Sequence, residues 1–167
     1  MLVTLTSASK TFNLAGCQNA FAIIPDKAVR AKWDAFTQGI KVQEGSSFGY
    51  IAMEAAYRGG GAWLEQVLAI IWGNYRWAKN ALEKALPHIC VSPLEGTYLM
   101  WVDFSAYLQP DEMETFFQKA CHVAVDYGSW FGGDAACHVR INLATCRENV
   151  ETAVNAVISG LQDWGRL

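Results

Sequence analysis

The spacing of hydrophobic residues changes several times along this chain, and each change marks an element. Residues 2–6 form a short run of β-favouring residues that ends in Ser7-Ala8-Ser9-Lys10, which sets a lysine just past a predicted strand. A second apolar run, residues 20–24, stops at Pro25-Asp26. Asp26 is placed to cap a helix whose apolar side holds Val29, Trp33 and Phe36. The stretch Glu44-Gly45-Ser46-Ser47 is loop-like and leads into a second helix through Ala52, Ala55 and Ala56, which Gly59-Gly60-Gly61 stops. Over residues 62–86, Leu64, Val67, Leu68, Ile71, Tyr75, Ala78 and Leu82 recur at helical spacing and predict one long helix.

Beyond Pro87 the pattern changes. Strands are predicted over residues 89–92 and 97–104. Pro110 then opens a helix with Met113, Phe116, Phe117 and Ala120 inward. A strand over residues 138–143 precedes a final helix whose inward set is Val150, Ala153, Val154, Val157, Ile158 and Leu161. Thr145 and Glu148 have capping-box spacing at its start. The first stretch reads as an α/β layer and the second as α+β, with the boundary inside the long helix.

Composition narrows the class. Of 167 residues, 52% are apolar and 17% charged, a core-rich balance that excludes a disordered chain. Seven Trp, six Tyr and eight Phe are a large aromatic load, part of which is expected to meet a second chain or further protein. A formal net charge of −3, with no basic cluster longer than a pair, gives nucleic-acid binding no support. The five cysteines have no CxxC spacing and fit neither a disulfide framework nor a zinc site, so reduced thiols in a cytoplasm are expected. His88, His122 and His138 share no metal-ligand spacing, and no metal is expected. The longest apolar run, near residues 67–72, is too short to span a bilayer, and the N-terminus lacks a secretion-signal layout, so no membrane association is expected.

The strongest local signal is Ser7-Ala8-Ser9-Lys10-Thr11-Phe12-Asn13-Leu14-Ala15-Gly16. On the residues alone, Lys10 is a lysine among small hydroxyl residues at a strand end, as many solvated surface lysines are. The segment resembles the cofactor-lysine motif of fold-type-I pyridoxal-5′-phosphate (PLP) enzymes, the aspartate aminotransferase superfamily. Lys-x-Phe-Asn-Leu-Ala-Gly is most similar to the cystathionine β-lyase branch, the MalY/PatB-like proteins. The resemblance implies that Lys10 forms the Schiff base with PLP, for which its amine must be neutral and partly desolvated, and that it then moves the proton at the substrate Cα. It also implies that the Ser7 hydroxyl helps hold the cofactor phosphate. Many aminotransferases of the superfamily place an arginine eight residues after the lysine; Gln18 stands there in this chain, which favours the lyase-like branch.

Cys137-His138-Val139-Arg140-Ile141-Asn142-Leu143-Ala144 resembles the family strand whose arginine clamps the substrate α-carboxylate, a task that suits the planar fork of Arg140. Strand alternation sets Val139 and Ile141 on the face opposite Arg140. Between these anchors, Ala55-Ala56-Tyr57-Arg58, Trp63-Leu64, Gly73-Asn74-Tyr75, Glu95-Gly96-Thr97-Tyr98-Leu99 with Trp101-Val102-Asp103-Phe104, and Gly128-Ser129-Trp130-Phe131-Gly132 follow the family order. Tyr98 is a candidate for contact with the substrate side chain; read alone, it is a half-buried aromatic on a strand.

The implied fold class is α/β: residues 1–72 as the C-terminal part of the PLP-binding large domain, and residues 73–167 as a small C-terminal α+β domain. The implied activity is that of a carbon–sulfur β-lyase or class I/II aminotransferase acting on amino acids such as cystathionine or cysteine conjugates. Family members carry the cofactor lysine past mid-chain, whereas here it is residue 10. The aspartate, stacking aromatic and glycine turn that would complete the site therefore have no counterpart. Open strand edges over residues 2–24 lead us to expect a homodimer or a complementary N-terminal fragment. The alternative is a non-catalytic remnant or interaction domain pairing with another chain.

Overall fold

Asp26 begins the first helix as its position predicts: Oδ1 accepts hydrogen bonds from the backbone N–H of Ala28 at 2.8 Å and of Val29 at 3.0 Å. The computed structural model describes residues 2–42 and 45–167, so Glu44 of the expected loop lies outside the described residues. The chain divides into two compact units, Met1–Gln66 and Val67–Leu167.

In the first unit β1 (Thr4–Thr6) pairs antiparallel with β2 (Phe21–Ile23), Thr4 opposite Ile23 and Thr6 opposite Phe21. Helix α1 (Lys27–Gly39) and helix α2 (Ser47–Gly59) follow, the latter capped by Ser46 Oγ, which accepts from Gly49 N–H at 3.3 Å. The expected apolar side of α1 is not buried. Phe36 is 65% exposed and Trp33 is also exposed; the buried residue is Thr37, whose hydroxyl donates to Trp33 O at 2.9 Å. An amphipathic stripe is buried only where a partner surface meets it. In this unit Ala8 and Ile24 are the buried apolar residues among those described.

Helix α3 (Gly61–Ala85) carries the chain into the second unit, where Ile71, Asn74, Tyr75, Ala78 and Leu82 form its buried stripe. Leu68, expected inward, is exposed, because the core begins only at Ile71. The second unit is a four-stranded antiparallel sheet of order β3-β4-β6-β5: β3 (Cys90–Val91), β4 (Leu99–Asp103), β5 (Asp126–Tyr127) and β6 (His138–Asn142). Met100, Val102 and Val139 are fully buried on one sheet face and join the core with residues of α3 and α4 (Arg147–Asp163).

Three expectations need correction here. The segment after Pro110 becomes a π-helix over Thr115–Ala120, with Cys121 N–H reaching Phe116 O at 2.9 Å. The wider turn leaves Ala120 exposed and turns Cys121 inward, where burial pushes its thiol up to about 11. Gly160 of α4 is what makes room, since a Cβ there would lie 2.7 Å from Cys121 Sγ. Second, no capping box forms. Helix α4 has Cys146 as its N-cap, without a side-chain cap, so Thr145 and Glu148 sit one position out of register, and Thr145 Oγ1 accepts from Asn149 Nδ2 at 2.8 Å instead. Third, β5 is a strand that the hydrophobic pattern does not predict, two residues being too few to alternate.

Candidate active site

Lys10 sits on a tight turn just after β1. Phe12 N–H donates to Ala8 O at 3.0 Å and Leu14 N–H to Ser9 O at 3.0 Å, which wraps the chain around the buried Ala8. Phe12 pins this turn to the helices. Its ring meets Tyr57 edge-on, with centroids 5.7 Å apart, and stacks with Trp63 at 6.2 Å. Gly60 permits that approach, because a Cβ there would lie 2.6 Å from the Phe12 ring.

The lysine side chain itself is exposed, and its amine makes no hydrogen bond or ion pair with any described residue. The desolvation expected for it is not supplied by the described residues, which leave the outer side of the turn open. Beneath it the Ser7 and Ser9 hydroxyls lie 2.5 Å apart, and Ser9 N–H donates to Ser7 Oγ at 3.2 Å. Ser7, Ser9 and Lys10 thus lie on one turn. Gln18 ends the following 3-10 turn in the left-handed region, with φ 52°.

Arg140 and Tyr98 belong to the second unit. Arg140 is at the centre of β6, with Trp101 of β4 opposite on one side and Asp126 of β5 opposite on the other. Asp126 Oδ2 accepts from Arg140 Nε at 3.0 Å and from Nη2 at 2.7 Å, and the guanidinium lies over the Phe131 ring at 4.6 Å. Trp101 contacts Phe131 edge-on at 5.8 Å and stacks on His138 at 5.3 Å. His138 Nε2 is 3.8 Å from Asp103 Oδ2, and its Nδ1 is buried without a described partner. Tyr98 is half-buried at the foot of β4, its ring against the core and its carbonyl accepting from Leu143 N–H at 2.8 Å.

The contacts of Arg140 with Asp126 and Phe131 are visible only in the structure. Asp126 stands on a two-residue strand too short to produce an alternating pattern. Phe131 lies in the Gly128-Ser129-Trp130-Phe131-Gly132 segment, which turns the chain between β5 and β6. Among the described residues no cluster of His, Cys, Asp and Glu could hold a metal ion, and no helix is long and apolar enough to cross a membrane.

Residues 1–157 match the family described as aminotransferase class I and II. The chain belongs to that family. Within it, this aminotransferase-family chain is 35% identical over 153 residues to cystathionine β-lyase PatB of Bacillus subtilis, a match covering 89% of this chain and 40% of PatB. It is 29% identical over 163 residues to cystathionine β-lyase of Corynebacterium glutamicum, covering 95% and 42%. Cystalysin from Treponema denticola, solved with its PLP cofactor, superposes with a TM-score of 0.88 at 32% identity over 97% of this chain and 41% of that one. The PLP-bound C–S lyase of Staphylococcus hominis gives 0.85 at 30% identity over 95% and 42%. The resemblance to the MalY/PatB-like branch is borne out, as is the mixed α/β fold class. The chain spans about 40% of the length of the curated relatives it matches.

Proposed function

We propose that this chain is the C-terminal part of a PLP-dependent carbon–sulfur β-lyase or class I/II aminotransferase acting on amino acids. Residues 1–72 are assigned to the end of the cofactor-binding large domain and residues 73–167 to the small domain. The observation that carries the reading is the Lys10 turn, which holds a primary amine with no partner among the described residues and two serine hydroxyls, in a chain whose relatives include PLP-bound C–S lyases.

That donor set fits the group: an amine for the aldehyde of PLP, and the Ser7 hydroxyl as a donor for its phosphate, with Ser9 Oγ accepting or donating beside it. When bound, PLP supplies an electron sink for negative charge at the substrate Cα. The chain's own residues do the rest. Lys10 Nζ would hold the cofactor aldehyde and, when free, would take the Cα proton. Arg140 holds the substrate α-carboxylate, and Tyr98 borders the substrate side chain. Loss of a thiolate from Cβ after proton removal would give the lyase outcome, and the Cα proton transfer itself is common to the lyase and the transaminase. Gln18, in place of an arginine, and the lyase names of the relatives favour the first.

All five cysteines are free thiols, which supports a cytoplasmic setting. The exposed Leu5, Ile23, Phe36 and Phe48 of the first unit support a homodimer or a complementary N-terminal fragment as partner, beside an amino-acid substrate.

The test is a visible spectrum of the purified chain mixed with PLP, with Lys10→Ala as control. An absorbance band at about 410–430 nm that requires Lys10 and shifts on adding an amino acid is expected. A folded chain with no Lys10-dependent band would reject catalysis by this polypeptide alone and favour the interaction-domain alternative.

A further inference from the structure

We infer that Asp126 is a positioning residue for Arg140, holding the guanidinium by one edge so that its other edge is ready for a carboxylate. The inference rests on the reading above that Arg140 binds the substrate α-carboxylate. The register of the sheet brings the pair together. Asp126 and Arg140 are directly opposite on β5 and β6, and Trp101 is opposite Arg140 on the other flank, all three half-buried on the face away from Val139 and Val102.

The hydrogen bonds decide which edge remains. A guanidinium has five N–H donors: one on Nε and two on each terminal nitrogen. One oxygen of Asp126 takes the Nε donor and one Nη2 donor. Phe131 covers one face of the plane at 4.6 Å. Nη1 has no described partner, so its two donors and the second donor of Nη2 point away from Asp126. One of those on Nη1 and the one on Nη2 form the parallel fork that a carboxylate accepts in bidentate fashion.

Asp126 could instead compete with the substrate, and magnitudes separate the two roles. Fixing a free arginine side chain costs a ligand up to about thirtyfold in affinity, an ordering that Asp126 and Phe131 have already imposed. The two carboxylates meet adjacent edges of one guanidinium, which share Nη2, and solvent screens their repulsion to about threefold because the side chains of Arg140 and Asp126 are 33% and 40% exposed. Positioning therefore prevails by up to about tenfold.

The experiment is a titration of the 15N-labelled full chain with L-alanine, followed at the arginine side-chain N–H resonances, with L-alaninamide as the carboxylate-free control. Asp126→Asn is expected to weaken L-alanine binding about tenfold and to collapse the distinct Arg140 Nε–H signal. Asp126→Glu, which keeps the charge, is expected to restore binding to within about threefold and to recover that signal. Equal or tighter binding by Asp126→Asn would overturn the positioning role and leave the role of Arg140 intact. Should Asp126→Asn fail to fold, Asp126→Ser removes the same carboxylate with less bulk and is judged by the same two outcomes. Failure of the carboxylate-binding reading looks different: the wild-type chain would ignore L-alanine, or Arg140→Lys would bind it as the wild type does.

Discussion

Asn74 is a polar side chain in the middle of a hydrophobic stripe, 1% exposed, and its Nδ2 donates to Leu143 O and Thr145 O, each at 2.9 Å. Those two carbonyls flank the turn that leads from β6 into α4, so one amide ties the long helix to the strand that bears Arg140. Asn74→Ala is expected to destabilise the second unit by about 2–3 kcal/mol, because the carbonyls lose their donors inside the protein; a urea midpoint compared with wild type measures this. At this scale the sequence was legible where a long motif surrounds one residue, as in the segments around Lys10 and Arg140 that carry the family resemblance. It was not legible where two residues meet only through a pairing. Asp126 is 14 positions from Arg140 and meets it only through strand register, which a single chain read linearly does not display.

Among elements, the ones that sequence located best were those with a long apolar period: α3 lies within one residue of its predicted span at each end, and α4 contains all of its predicted inward set. The short strands were predicted too long, since a β-favouring run exceeds the part that finds a ladder partner. The π-helix was invisible because Met113, Phe116 and Phe117 suit an ordinary helix equally well, and only the i→i+5 bond to Cys121 departs from it. The start of α4 shows a finer limit: a spacing match one residue off satisfies the pattern and not the geometry. Cys146 already has N-cap backbone angles, φ −65° and ψ 157°, without a capping side chain. Cys146→Asp is therefore expected to stabilise the chain by about 0.5–1 kcal/mol, through a carboxylate that meets the free N–H groups and the helix dipole; thermal unfolding at constant pH would show a raised midpoint.

Across the whole molecule the two units differ in kind. The second has a continuous core from Ile71 to Leu161, while the first presents large apolar side chains outward, Phe48 at 83% and Ile51 at 67% exposure on α2 among them. Side chains that are open in the folded chain contribute little to its stability. Replacing Phe48 and Ile51 together by Ser is expected to leave the unfolding free energy within about 0.5 kcal/mol of wild type per site while lowering self-association, which light scattering across a concentration series would record.

The sheet order of the second unit has a further consequence, for the time at which Arg140 finds its partner. Strand β6 is the last in the chain, yet it lies between β4 and β5 and completes both of their ladders. On a ribosome, β4 and β5 emerge first and wait as unjoined edges. Trp101, Asp126 and Arg140 have no common neighbourhood until the final strand slots between the other two. Closing such distant pairings is the slow part of folding for sheets of this kind. The Arg140–Asp126 ion pair and the finished sheet thus arrive in the same event, and a nascent chain that has not yet released β6 offers neither.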